Sequence, residues 1–287
     1  MPQITEPVGP GLTRVWEVGD VVFDERTPYQ HVLIGKTAQG VSLFCDGERQ
    51  STEASQLVYH EALMVPALLL AERVRRVLVI GSSEGVASQL AVAAGAARVD
   101  HVDIDEAAVR ACAEHLPYGY TPADLARGDG PIRVSFEDGW AFLAAAEARG
   151  DTYDVVVIDL PDENEDPDAQ HNRLYGKDFL ARCVRVLAPG GVVSCQAGCP
   201  TLWRNETLRT SWRRFREVFG TVLYFGSDEH EWAFLSGRVD HVDDPAALVA
   251  RRFAERGSRA SALDAEALLG GATPPYSLRH GSGPDQS

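Results

Sequence analysis

The stretch VVVIDLPDENEDPDAQHNRLY, Val155 to Tyr175, runs four apolar residues into Asp159 and then into a knot of acids. Six carboxylates fall in the ten residues from Asp159 to Asp168, with no Lys or Arg among them, and such a cluster asks for a cation or for water. A second stretch, VLVIGSSEGVASQLAV, places Gly81 and Gly85 where a strand turns into a helix. Glycines there let the backbone turn tightly and let a ligand approach the helix N-terminus. The spacing is Gly-x-x-x-Gly, which is not the dinucleotide fingerprint. Asp103 ends the next strand and can accept both hydroxyls of a ribose. The strand after that leads into Glu137-Asp138-Gly139, where a carboxylate can accept the exocyclic amine of an adenine. With no Gly-rich phosphate loop carrying a Lys, the adenosine-type ligand expected here is a sulfonium nucleoside rather than ATP.

These acids need strand ends to hold them. RRVLVIG, ARVDHVDID, IRVSF and DVVVID read as short buried strands. Between them EGVASQLAVAAGA, EAAVRACAEHL and a segment from Trp140 read as helices, with Asp105 as the N-cap of the second. Strands alternating with helices predict an open, mostly parallel sheet. The pattern continues with the helix KDFLARCVRVLAPGG, the strand VVSCQ, the helix TLRTSWRRFREVFG and closing strands TVLYFG and WAFLSG. Gln196, at the end of VVSCQ, serves either strand-end hydrogen bonding or substrate contact. Residues 14–50 read instead as an antiparallel sheet with turns at Gly35–Gly40 and Asp46–Gly47, in which Trp16, Tyr29 and Phe44 pack. The expected division is a β domain over 1–56, an α/β domain over 57–240, and a C-terminal helical extension over 241–287 with a disordered tail from GGATPPYSLRH onward.

The chain has 287 residues, 45 % of them hydrophobic, which is enough for a substantial core. A formal charge of −15 excludes extensive phosphate contact, so no nucleic-acid partner is expected. The five cysteines are scattered, with only Cys195 and Cys199 close, so free thiols in a reducing cytoplasm and no zinc site are expected. The N-terminus lacks a basic segment followed by an apolar one, and VPALLLA is too short to cross a bilayer, so neither a signal peptide nor a membrane partner is expected.

The ordered motifs TPYQHVLI, LFCDGERQ, VYHEAL, VLVIGSSEG, VDIDEAAV, EDGWAFL, VVVIDLPD, LYGKDF and VLAPGGVVSCQ, over residues 14–237, resemble the polyamine aminopropyltransferases, with spermidine synthase as the type. The resemblance implies a Rossmann-like S-adenosylmethionine-dependent transferase fold with a small N-terminal antiparallel β domain. It implies decarboxylated S-adenosylmethionine as co-substrate, no metal, a polyamine acceptor such as putrescine, methylthioadenosine as product, and a homodimer or homotetramer. By position it puts Gln30, Gln50, Tyr59 and His60 at the active-site mouth, with Gln30 towards the donor and Gln50 and His60 towards the acceptor. Gly81, Glu84, Gly85, Asp103, Asp138 and Gly139 fall to the donor, Asp159 to the general base, and Asp162, Gln196 and Trp232 to the acceptor. The chain departs from the family in GSSEG, where the family has Gly-Gly-Gly-Asp-Gly, and in DLPDE with extra residues before Leu174-Tyr175. Near Trp232, GSDEHEWAF makes the surroundings more acidic through Asp228, Glu229 and Glu231.

The residues suit that chemistry. An aliphatic amine with a pKa near ~10.4 is almost wholly protonated at neutral pH, and only its neutral form attacks carbon. A carboxylate must take the proton as the amine attacks the methylene beside the sulfonium, and Asp159 is placed for this, with Tyr59 as its helper. Glu163, Glu165, Asp166 and Asp168 read as a solvated loop without a defined contact. His60, His171 and His230 read as surface or channel residues rather than ligands. The alternative is an S-adenosylmethionine-dependent methyltransferase or other alkyl transferase, which a basic residue near the donor's tail would favour.

Overall fold

Alternating side chains at the N-terminus build two antiparallel sheets, not the one that the sequence predicts. In the computed structural model, which describes residues 2–9, 11–163, 170–227, 229–256 and 260–280, the first is a hairpin of β1 (Gln3–Gly9) and β2 (Leu12–Glu17). The sequence gives no strand signal over β1 because Pro7 and the Gly-Pro-Gly that follows read as loop; in a two-stranded hairpin every strand is an edge, and an edge tolerates Pro. The second sheet is a meander of β3 (Gly19–Arg26), β4 (His31–Thr37), β5 (Gly40–Cys45) and β6 (Glu48–Thr52). Its buried Val32, Ile34 and Leu43 pack on a helix of the α/β unit through Ala108, Ala111, Cys112 and Leu116. Phe44 is buried as expected, but Tyr29 is 49 % exposed and packs no core.

The helix α1 (Gln56–Leu70) is apolar on every side after Glu61 and is buried from His60 onward. Such a helix belongs in the middle of a core. It lies against the sheet built by β7 (Arg76–Gly81), α2 (Val86–Ala93), β8 (Arg98–Asp103), α3 (Glu106–His115), α4 (Pro122–Ala126), β9 (Ile132–Phe136), α5 (Gly139–Arg149), β10 (Tyr153–Asp159), α6 (Lys177–Arg185), β11 (Leu187–Gln196), α7 (Glu206–Val218), β12 (Thr221–Gly226) and β13 (Ala233–Arg238). The seven strands run in the order β12-β13-β11-β10-β7-β8-β9. The pairs from β11 to β9 are parallel, and β13 is antiparallel to both its neighbours. The strand order therefore reverses between β7 and β10, with Gly81 paired to Asp159 at their carboxyl ends. Open α/β sheets bind ligands at such a switch point.

Two boundaries differ from the sequence. The helix α6 stops at Arg185, and the residues LAPGG belong to β11, where the pairing jumps from Tyr153–Leu187 to Val155–Val192. A bulge of this kind leaves no hydrophobic period to read. The C-terminal segment is ordered further than expected: α8 (Pro245–Arg256), α9 (Ala265–Gly271) and α10 (Tyr276–His280) all form, and Leu268 and Leu278 are buried. A polar composition with one buried Leu per turn hides such pieces from the sequence. Residues 281–287 of the expected tail lie outside the described residues.

This extension is tied to α1. The carboxylate of buried Glu61 accepts from the backbone N–H of Ser261 at 2.7 Å and of Ala262 at 2.7 Å. The Arg252 guanidinium donates to the carbonyls of Leu69, Leu70 and Ala71, which α1 leaves open at its end. Replacing Glu61 with alanine removes a buried carboxylate and the charge-assisted bonds that fasten the Ser261 and Ala262 amides to α1, and the expected loss is about 1.5–3 kcal/mol of stability, read as a lower urea midpoint. An unchanged midpoint would contradict this anchoring. Among the described residues no helix is long and apolar enough to cross a membrane, and no group of three or more His, Cys, Asp or Glu is arranged to hold a metal. All five cysteines are free.

Candidate active site

The reversal of strand order brings Asp159 beside the glycine turn. Gly81 has φ +80°, and a Cβ there would lie 2.1 Å from the Asp159 carbonyl oxygen. That carbonyl accepts from the Ser82 N–H at 2.9 Å, so the turn and Asp159 are fastened together. Gly85 caps α2 with φ +82° and leaves its Cβ space to the Tyr120 ring. Glu84, 7 % exposed, forms no ion pair among the described residues.

Asp159 is 9 % exposed. The Tyr59 hydroxyl donates to its Oδ1 at 2.6 Å, and His60 Nε2 stands 3.8 Å from its Oδ2. Burial pushes the Asp159 carboxyl above the ordinary carboxylate value, with His60 and the Tyr59 hydrogen bond opposing the rise. His60 is not at the mouth, as the resemblance places it. It is 2 % exposed, behind Asp159, with Nδ1–H donated to the Gln56 carbonyl at 2.7 Å. The signal was present in the apolar run that follows it, which buries this part of α1. Tyr59→Phe removes an opposing hydrogen bond, so the Asp159 carboxyl rises further. The expected result is an acidic limb of the kcat–pH profile displaced upward by about one pH unit, because a hydrogen bond to a charged group contributes roughly 1.5–3 kcal/mol. A limb that stays or moves down contradicts the assignment.

Asp103 ends β8 and is pushed up to about 6 by burial, against the hydrogen bonds it accepts. Ser83, which the sequence analysis did not single out, donates to Oδ2 at 2.8 Å, and the Asp105 N–H to Oδ1 at 2.9 Å. Ribose hydroxyls need the ionised carboxylate, so nucleoside affinity is expected to fall as pH drops through about 6, measured by calorimetric titration. The free protein has the opposite sign: between the ordinary carboxylate value and about 6 the folded state binds more protons, so Asp103 favours folding as pH falls. Asp105 caps α3 as predicted, and its Oδ2 also accepts from Thr27 at 2.7 Å and from Gln30 Nε2 at 2.9 Å. Gln30 is thus held next to Asp105, whose N–H donates to Asp103. Asp138 caps α5 through the Ala141 N–H and is also paired with Arg173, and a Cβ on Gly139 would meet Ile80.

Beyond Asp159 the site continues at Asp162. Its carboxyl is raised by burial and accepts from Gln196 Nε2 at 2.6 Å, so the strand-end glutamine and the acid form one unit. Tyr175 donates to the Leu160 and Pro161 carbonyls, and His171 Nε2 donates to the Asp162 carbonyl, which fixes the backbone between the two acids. Glu163 is not a free loop acid, since it pairs with Arg214 at 2.7 Å. Glu165, Asp166, Asp168 and Asp228 lie outside the described residues. A cavity of about 390 Å³ opens beyond Tyr59, with Gln50, Trp16 and Trp232 in its wall. Its acidity is not what the sequence implies. Burial would push Glu231 up, but Arg14, Arg49 and Arg204 outweigh it and hold the carboxyl at about 2.

Known proteins resemble this chain. Residues 56–226 match the family model described as the spermine/spermidine synthase domain. A polyamine aminopropyltransferase of Prochlorococcus marinus (strain MIT 9313) is 34 % identical over 204 residues, covering 70 % of this chain and 68 % of the relative. Polyamine aminopropyltransferase 1 of Pseudomonas aeruginosa is 27 % identical, with 97 % of each chain covered. In fold, the chain is similar to a spermidine synthase solved in complex with the transition-state analogue AdoDATO, with a TM-score of 0.83 at 17 % identity over 97 % of this chain and 94 % of that one. The spermidine synthase of Thermotoga maritima gives a TM-score of 0.80 at 17 % identity, over 97 % and 93 %. With the sheet order, the switch-point acids and a family match over more than half its length, this chain belongs to the spermine/spermidine synthase family.

Proposed function

We propose that this protein transfers the aminopropyl group of decarboxylated S-adenosylmethionine to the primary amine of a small polyamine-class acceptor, releasing methylthioadenosine. The observation that carries the reading is buried Asp159, held by Tyr59 at 2.6 Å and tied to the glycine turn. The acceptor nitrogen attacks the methylene beside the sulfonium, the carbon–sulfur bond breaks with its electrons going to sulfur, and the amine's proton goes to Asp159. A desolvated carboxylate with a raised pKa is a stronger base, which suits a proton that an amine holds tightly. Asp103 and Asp138 hold ribose and adenine, and Gln30 stabilises the Asp105 cap beside them. Glu84, buried with no ion pair among the described residues, suits the free ammonium of the decarboxylated donor and would repel the carboxylate of the intact one.

Calorimetric binding of decarboxylated against intact S-adenosylmethionine, followed by mass spectrometry with a panel of amines, tests this. The expected result is preference for the decarboxylated donor and a mass gain of one aminopropyl group on an amine. Preference for the intact donor, with methyl transfer, overturns it. A homo-oligomer assembled through the N-terminal strands is part of the same reading, supported by exposed Leu12, Val15, Val21 and Val22 on β2 and β3. Sedimentation equilibrium checks it, and a monomer at micromolar concentration contradicts it.

A further inference from the structure

One guanidinium beside the cavity wall belongs wholly to neither of its partners. Arg204 lies in a short turn after β11, where its Nη2 stands 3.9 Å from Asp162 Oδ2 and its Nη1 3.8 Å from Glu231 Oε2. Both are ion-pair distances and too long for hydrogen bonds. The guanidinium carbon lies 4.9 Å from the centroid of the Trp232 ring, and Trp232 and Glu231 both line the cavity beyond Tyr59. Arg204 therefore covers one aromatic face within ion-pair reach of two acids.

Each acid keeps one oxygen open to it. Asp162 Oδ1 accepts from Gln196 Nε2 at 2.6 Å, and Oδ2 accepts no hydrogen bond among the described residues. Glu231 Oε1 accepts from Arg14 at 3.0 Å and from Arg49 at 2.8 Å, whereas Oε2 accepts from Arg14 alone, at 2.8 Å. A carboxylate oxygen has two lone pairs, so Oε2 has one left. A shift of about 1 Å either way turns one of the two ion pairs into a charge-assisted hydrogen bond. Two further carboxylates stand near, Glu48 at the start of β6 and Glu229 in the cavity wall. Both are exposed, and neither pairs with Arg204 among the described residues. Asp162 is the acid that the resemblance gives to the acceptor, and a guanidinium beside it stands where an alkylammonium would.

We propose that Arg204 is a tethered competitor of the acceptor: it shields Asp162 before the polyamine arrives, and an ammonium of the polyamine displaces it along the face of Trp232 to the open lone pair of Glu231. The inference rests on aminopropyl transfer to a polyamine and adds the residue that sets how strongly the acceptor is held. Two cations beside one partly buried oxygen repel each other, so one of them leaves. Glu231 can receive the departing charge because Arg14 and Arg49 already hold its carboxylate in place. Arg204 acts through Asp162 as a positioning residue and takes no part in the proton transfer at Asp159.

The test compares the full chain with Arg204→Gln and Arg204→Lys, using decarboxylated S-adenosylmethionine and the fastest of 1,3-diaminopropane, 1,4-diaminobutane and the linear triamines, and following methylthioadenosine release. Arg204→Gln is expected to lower the KM for the amine by about fivefold, as a good partly exposed ion pair would, with kcat changed less than about twofold. Arg204→Lys keeps the charge and returns the KM towards the wild-type value. Methylguanidinium gives a second readout: with the tethered charge gone it occupies Asp162, and it inhibits Arg204→Gln competitively against the amine at about fivefold lower concentration than the wild type. Glu231→Gln leaves Arg204 only Asp162 and raises the KM, and adding Arg204→Gln removes most of that rise. An Arg204 that only braces Trp232 predicts the reverse for the single variant, a higher KM with no new competition by methylguanidinium. A higher or unchanged KM in Arg204→Gln, or additive effects in the double variant, overturns the inference and leaves aminopropyl transfer standing. Donor binding by the wild type without release from any of these amines overturns both.

Discussion

Asp159→Asn lowers kcat by roughly 10³-fold while the protein still binds the donor. The asparagine side chain has the same shape, and its oxygen can still accept the Tyr59 hydroxyl that Asp159 accepts at 2.6 Å. What it cannot do is take a proton. The reacting amine then has to lose its proton to water, and general-base assistance of the usual size, about 10²–10⁴-fold, disappears. This corresponds to a barrier increase of roughly 3–5 kcal/mol. Donor affinity is expected to survive because the proposed donor acids stand elsewhere, Asp103 at the end of β8 and Asp138 at the start of α5. The pH profile supplies a second check. In the wild-type protein activity falls as pH is lowered through the raised Asp159 value, and in the variant that limb vanishes. A variant retaining a tenth of wild-type kcat would move the base to Asp162, the next carboxylate on the acceptor side, which is raised in the same direction.

The second large effect is on stability. Gly81→Ala is expected to lower the melting temperature by roughly 10 °C, from about 3 kcal/mol of destabilisation. Two causes add. An L side chain at φ +80° carries left-handed strain of about 1–2 kcal/mol, and its Cβ would stand 2.1 Å from the Asp159 carbonyl oxygen. Neither side can retreat. Asp159 is in the ladder opposite Gly81 and accepts from Ser82, while the Gly81 carbonyl is held by His101 Nε2 at 2.7 Å. Gly47→Ala isolates the first cause, since Gly47 has φ +84° and open space around it. Equal melting-temperature losses for the two variants would remove the clash from the account.

Much of the site was legible because strand ends are. Asp159 follows an unbroken apolar run, Asp103 ends a segment that reads as a strand and Asp138 comes two residues after another, and the alternation of strands and helices puts all three at one edge of one sheet. Gly81 was legible because a strand turning into a helix needs it. The cluster around Glu231 was not. Arg14 and Arg49 reach it across sequence separations of 217 and 182, and no period or local motif encodes such a meeting. The sequence therefore overstates the acidity near Trp232, since it counts carboxylates without their partners. Arg173 on Asp138 and Arg214 on Glu163 were hidden for the same reason. The burial of His60 had a signal in the apolar helix after it, but the neighbouring Tyr59, which faces the cavity, masked it.

The position of β13 between β11 and β12 has a consequence for how the chain is made. A ribosome delivers β12 before β13, yet among the described residues β13 is the only strand with which β12 pairs. Until Arg238 has emerged, β12 has no neighbour and the long edge of β11 is open to any passing strand. The interior carboxylate of Glu61 waits longer still, for amides some 200 residues downstream. Synthesis therefore passes through a window in which the β10-β7-β8-β9 part of the sheet is complete and the part beyond β11 is not. A nascent chain halted in that window is the form of this protein most exposed to aggregation, and the one for which a chaperone has most to cover.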